Sequence, residues 1–274
     1  MSTTKIYTAK TFNFNNLALS PEKAPAKSKH GMKYRYYQQK DGNRNKILMQ
    51  TPKMTSPFGL KYNEPFQGGD GPGNWTITLQ FSGIDSRKYA EDGEIVVLPD
   101  ADPAEVEFFK WCHELDKFTQ EECSKPAAGS RKSKRSDGKT YKTLIKVSDV
   151  RKDGEPTGEY HKPQVSLKVA SYNGVELKAF DKTTSQITNG VDKITPYSEV
   201  IVVFTVARVY VQNDKYGPQC YANRTQFWPQ SKTEDMDFLD EETGGLVDLS
   251  KVIKPVEENF DGVEDSGEID FIDE

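Results

Sequence analysis

Two stretches of this chain interleave cations with aromatic rings, and that pairing suits one kind of noncovalent chemistry. A guanidinium or ammonium tracks phosphates and displaces their counterions, while a ring offers its face to an unpaired base. Arg208, Tyr210, Lys215, Tyr216 and Arg224 form one set, and Lys33-Tyr34-Arg35-Tyr36-Tyr37 forms the other. From these, Lys33, Arg35, Tyr36, Arg208, Tyr210, Lys215, Tyr216 and Arg224, with Lys53 and Lys168, are the candidate nucleic-acid-binding residues. Each sits on the polar parity of an apolar strand or in the adjoining turn.

Bond-making chemistry finds no comparable support. His30, His113 and His161 are far apart in sequence, and Cys112, Cys123 and Cys220 match no zinc spacing. No Walker loop, GxSxG elbow or paired-acid signature occurs outside the C-terminal tail. Gly68 to Gly73 contains a GxGxG, but a dinucleotide site needs a helix next. Trp75, Ile77, Leu79 and Phe81 instead alternate with polar residues, as a half-buried strand does. The expectation is a protein without catalytic activity, cofactor or metal.

The elements that position the cations are mostly strands. Val200 to Gln212 and Tyr216 to Trp228 make a long hairpin around Asn213-Asp214-Lys215, residues that bond their own backbone and tolerate left-handed dihedrals. The first of these strands is apolar on both parities up to Phe204, as a strand buried on both faces should be. Further strands are expected over Lys5 to Leu19, Lys33 to Tyr37, Lys46 to Thr51, Glu94 to Leu98 and Thr140 to Val147. Gln164 to Ala170 and Val175 to Phe180 pair through the Asn173-Gly174 turn signal. One helix starts at Asp102, with Pro103 at its first position, and carries Phe108, Trp111, Cys112, Leu115 and Phe118 as an apolar stripe. About nine short strands with one inserted helix imply an all-β closed or partly open barrel, because closure removes bare edges.

The net charge of −5 conceals a division. Residues 234–274 carry −14 and residues 1–233 carry +9. Self-repulsion and scant apolar content leave 257–274 disordered, with 234–256 a partly ordered acidic connector behind a 1–233 domain. The tail still holds Phe260 and Phe271 among Asp265, Glu268, Asp270, Asp273 and Glu274, an arrangement suited to docking on a partner. Lys125 to Lys139 is a basic segment that reads as a solvated loop, the alternatives being a phosphate-tracking loop or a nuclear address in Arg131-Lys132-Ser133-Lys134-Arg135. Three unpaired cysteines and the absence of a long apolar run point to an intracellular protein with no membrane partner.

Ile47-Leu48-Met49-Gln50-Thr51-Pro52-Lys53-Met54, continuing to Pro57-Phe58-Gly59-Leu60, resembles an early-strand motif of the single-stranded DNA-binding proteins of nucleocytoplasmic large DNA viruses. The hairpin around Ala207 to Tyr210 and Ala222 to Gln226 is similar to that family as well, and the acidic tail is similar in character to podophage relatives. The resemblance implies an OB-fold-like Greek-key barrel, with the inserted helix, extra hairpins and the disordered tail. It implies sequence-independent binding and protection of single-stranded DNA in replication, recombination and repair, at a viral replication site in nucleus or cytoplasm. The tail would compete for the DNA groove and recruit replication proteins such as DNA polymerase and helicase-primase; a homodimer partner is a further expectation. The alternative from another class is a β-barrel protein-interaction scaffold, or an RNA-binding module, with an acidic docking tail.

Overall fold

The computed structural model describes residues 5–22, 33–40, 43–64, 73–125, 138–169, 177–190, 193–212 and 214–229. All of them fall within one compact unit, residues 1–230. The candidate tail residues and the Lys125 to Lys139 segment beyond Lys125 and before Gly138 lie outside the described residues, as does the Asn173-Gly174 turn.

The chain opens with β1 (Ile6–Tyr7), 3-10 turns at Ala9–Thr11 and Phe14–Asn16, and β2 (Leu17–Glu22). Then come β3 (Lys33–Lys40), β4 (Asn43–Asn45), β5 (Ile47–Gln50), β6 (Met54–Ser56), β7 (Leu60–Asn63) and β8 (Asn74–Gln80). Helices α1 (Ser86–Asp92) and α2 (Pro103–Ser124) follow. After them come β9 (Thr140–Tyr141), β10 (Ile145–Lys146), β11 (Asp149–Lys152), β12 (Glu155–Tyr160) and β13 (Gln164–Val169). The last elements are β14 (Lys178–Asp181), β15 (Gln186–Asn189), β16 (Ser198–Gln212) and β17 (Lys215–Trp228).

Five strands close on themselves. β6 pairs with β8, β8 with β13, β13 with β17, β17 with β16, and β16 returns to β6. Of these contacts β13–β17 is parallel and the others are antiparallel. Numbered along the chain, the order round the ring is 1-2-3-5-4, which makes the molecule an all-β, OB-like Greek-key barrel. β5 and β6 act as one bent first strand along β16. At the bend Pro52 has no N–H, and the Thr51 hydroxyl takes the Val202 N–H at 3.0 Å.

The core follows the period of two. Val200, Val202, Phe204 and Val206 of β16 point in, facing Ile77 and Leu79 of β8 and Val165, Leu167 and Val169 of β13 across the barrel. Asp102 caps α2 by accepting from Ala104 N at 2.8 Å, with Pro103 in the first turn. Phe108 and Trp111 meet Phe204 edge-on at 6.1 and 6.0 Å, so the helix completes the core. Glu105, buried on α2, accepts from Ser82 N at 2.5 Å and Gly83 N at 2.7 Å and ties the helix to the end of β8.

Several expectations are corrected. Lys5 to Leu19 is no single strand: Phe12 ends the first 3-10 turn and Phe14 begins the second, and both rings pack on Trp111. Glu94 to Leu98 yields a single bridge between Ile84 and Val97. β13 and β14 do not form a hairpin, because β17 lies between them and pairs in parallel with both. The helix α1, with Asp85 as its N-cap and Gly93 in the left-handed region at its end, has too short a pattern to show by periodicity.

Candidate nucleic-acid interface

The alternation of β16 changes phase at Ala207. A β-bulge there places Val206 opposite Cys220 and Arg208 opposite Gln219, leaving Ala207 unpaired. Before the bulge even-numbered residues face the core; after it Val209 faces in at 0% exposure and Arg208 and Tyr210 face out. This phase change explains why the inward parity switches from even numbers up to Val206 to odd at Val209, while Ile201 and Val203 on the outward parity are half-buried.

Arg208 is held flat on the outer face. Its Nε donates to Gln219 Oε1 at 2.8 Å, and Nη2 donates to Tyr221 Oη at 2.9 Å. The neighbouring strand β3 sets Arg35 directly opposite Arg208, so two cations share one cross-strand position. Directly opposed like charges destabilise a sheet. On the other side, Lys168 of β13 is in register with Tyr221. Burial, then the charges of Arg208 and Lys146, hold the Lys168 ammonium below its ordinary pKa. Lys168 in turn faces Thr76 of β8, and Thr76 faces Lys61 of β7. Paired positions point to the same side of a sheet, so Arg35, Arg208, Lys168 and Lys61 form a cationic row crossing six strands. At about 4.8 Å per strand the row is roughly 24 Å long.

Beside the row lies a cleft of about 480 Å³. Lys142, Lys146, Lys168 and Lys215 line it with Tyr210, against a single acid, Asp214. Its far wall, residues 141–146, was expected to belong to one continuous strand, Thr140 to Val147. It is broken into β9 and β10 because Leu144 N donates to both Asp116 carboxylate oxygens of α2, at 2.9 and 3.0 Å. Tyr141 Oη also donates to Asp116, at 2.5 Å. Burial pushes the Asp116 carboxyl up to about 6, while the hydrogen bonds from Tyr141 and Leu144 pull the other way. The wall is pinned to β17 by Lys142 N donating to the Tyr216 carbonyl at 2.8 Å. Gly217 permits this approach, since a Cβ there would stand 2.3 Å from the Lys142 carbonyl oxygen.

Arg35, Lys168, Arg208, Tyr210 and Lys215 are thus brought together as expected. Two rings are not. Tyr36 is 1% exposed, with its hydroxyl 2.5 Å from Thr119 Oγ1, because Tyr34, Tyr36 and Gln38 form the inward parity of β3. The ring on the Arg35 side is Tyr37, 4.9 Å beneath the Arg44 guanidinium. Tyr216 is buried as well and packs edge-on against Tyr141 at 5.1 Å. Lys53 and Arg224 are exposed but lie nearer the other end of the hairpin. Lys53 pairs with Glu199 and sits 4.7 Å over the Trp228 ring. The backbone of Lys33 begins β3, and its side chain is outside the described residues. Lys61, Lys142, Lys146 and Tyr221 were missed. Lys61 and Lys142 stand in ordinary alternating or broken strand sequence, and only the register reveals their place.

The chain matches no protein-family model and no curated protein. Among the described residues no group of three His, Cys, Asp or Glu side chains is placed to hold a metal ion. The three thiols are buried and unbridged, and burial raises the pKa of Cys112 and Cys220.

Proposed function

We propose that the protein binds single-stranded DNA without regard to sequence and shields it during replication, recombination and repair. The observation that supports this most is the cationic row through Arg35, Arg208, Lys168 and Lys61, flanked by the lysine-lined cleft and by Tyr210 and Tyr221. A row of fixed cations on an otherwise polar sheet face has no partner charge among the described residues at Lys168, and a phosphate backbone supplies one. Rings beside it stack on bases of any identity. In this reading the acidic tail, rich in carboxylates and carrying Phe260 and Phe271, competes for the cations and, once displaced, docks on replication proteins.

The test is fluorescence anisotropy with labelled oligo(dT), the matching duplex and oligo(U). Single strands should bind far more tightly than duplex, with a salt slope near −3 if the four cations of the row each meet one phosphate, at about 0.7 per contact. Equal affinity for duplex sinks the proposal, and a preference for oligo(U) moves it to RNA. Deleting residues 257–274 should raise affinity most at low salt, where screening is weak. Unchanged affinity there removes the competition role.

A further inference from the structure

At the start of β16 the outer face carries a second group of rings that the row and the cleft do not use. Phe58 and Tyr197 are 52% and 60% exposed, large values for side chains that gain by burial. Neither is loosely held at its backbone. Tyr197 N donates to the Ser56 carbonyl at 2.7 Å, Gly59 N returns to the same carbonyl at 3.3 Å, and Leu60 N donates to the Ile194 carbonyl at 3.0 Å. Tyr197 adopts φ of 63°, a region costly for a bulky side chain and found chiefly where surroundings over-determine it. Gly59, at φ 60°, is pressed so close that a Cβ would stand 2.3 Å from the Ile194 carbonyl oxygen. The backbone carrying the two exposed rings is therefore held in a tight corner, with strain at Tyr197.

The corner is continuous with the candidate interface. Glu199 pairs with Trp228 and with Thr55, so Trp228 shares the outer face of β16 and β17. Lys53 lies over that ring, and from Trp228 the same face of β17 continues through Gln226 and Arg224 towards Tyr221 and the Arg208 guanidinium. Cation and ring thus recur along the hairpin, from Lys53 and Trp228 through Arg224 to Arg208 and Tyr221. A protein partner would want a contiguous apolar patch, whereas two separate rings beside a lysine suit a flexible chain of bases and phosphates.

We propose that Phe58 and Tyr197 form a second stacking station for the bases of a single strand that already occupies the cationic row. The inference rests on the proposed function. Its consequence is a footprint extending along the hairpin from Arg208 to Tyr197, about 11 residues or roughly 36 Å of strand contour, beyond the row itself.

Length-dependent binding by the full chain tests this, with oligo(dT) of about 6 and about 20 nucleotides, which bracket the roughly 4–16 an OB fold occupies. Phe58→Ala with Tyr197→Gly should weaken the longer oligonucleotide about five- to hundredfold, the range for a lost stacked base, and leave the shorter one unchanged. Glycine relieves the positive φ at 197, so thermal stability should not fall with affinity. Tyr197→Phe keeps a ring and should retain the parent's affinity. If both lengths bind the variant as they bind the parent, the station is refuted while the row stands. Equal weakening at both lengths also refutes it, because the corner then acts through the fold. If the parent binds neither length, the proposed function fails and takes this inference with it.

Discussion

Replacing Arg208 by alanine should leave the barrel standing and cripple its outer face. The side chain makes two hydrogen bonds, to Gln219 and Tyr221, both half-buried groups that water can serve once the guanidinium is gone. Their loss costs about 0.5–1.5 kcal/mol each at most. Against this, Arg208 directly opposes Arg35 across β16 and β3, and relief of a like-charge cross-strand pair returns up to about 1 kcal/mol. Stability should therefore stay within about 1–2 kcal/mol of the parent. Affinity for single strands behaves differently. One charge-assisted contact to a phosphate contributes about 1.5–3 kcal/mol, so binding should weaken roughly ten- to hundredfold. The salt slope should flatten by about 0.7. Lys168, freed from one like charge, should titrate nearer the ordinary lysine range. Urea denaturation and anisotropy titrations across a salt series measure both quantities on one preparation. A variant that is folded, binds as the parent does and keeps its salt slope refutes the assignment of Arg208. A loss of stability beyond 3 kcal/mol would make the residue structural instead.

Three other perturbations follow from the same geometry. Asp116 has its folded pKa raised from 3.8 to about 6, so its contribution to stability is fully present below pH 3.8 and is lost as pH rises through about 6, a change of about 3 kcal/mol. Asp116→Asn should abolish that part of the stability-pH profile in urea melts between pH 4 and 7; an unchanged profile contradicts the assignment. Glu105→Ala strands the Ser82 and Gly83 amides and should cost about 2–4 kcal/mol in denaturant unfolding, with Glu105→Gln recovering part of it. Gly217→Ala drives a Cβ into the Lys142 carbonyl and should displace the cleft wall, costing about 1–3 kcal/mol and weakening single-strand binding; parent-like stability would show that the wall yields freely.

What the sequence discloses depends on how far apart the interacting residues lie. The long hairpin, β5, β8 and α2 are local patterns with caps or turn residues at their ends, and the structure places them where periodicity does. The barrel class follows from many short strands. Tyr36 shows the limit: in Tyr34-Arg35-Tyr36-Tyr37 rings occupy both parities, and the choice of inward ring is made by Thr119, 83 residues away. The wall at 141–146 fails for a like reason, since its strand pattern is interrupted by a carboxylate on α2 that no window around Leu144 contains. Lys61 and Lys142 join the candidate interface only through register and a backbone contact with β17. Arg208 and Lys168 were legible because each is the lone cation of its strand.

The unpaired Ala207 acts as a frame marker for everything after it. Which residues of β16 touch solvent is set by a count from the core, and the bulge advances that count by one. Were Ala207 drawn into the ladder as an ordinary paired residue, no cation and no ring would change, yet Arg208 and Tyr210 would turn towards the barrel axis and Val209 towards solvent. A protein can thus lose this surface with its whole chemical inventory intact. Among divergent chains, the spacing between the last inward aliphatic residue and the first outward cation is the more informative quantity to compare, because side-chain identity can drift while the frame holds.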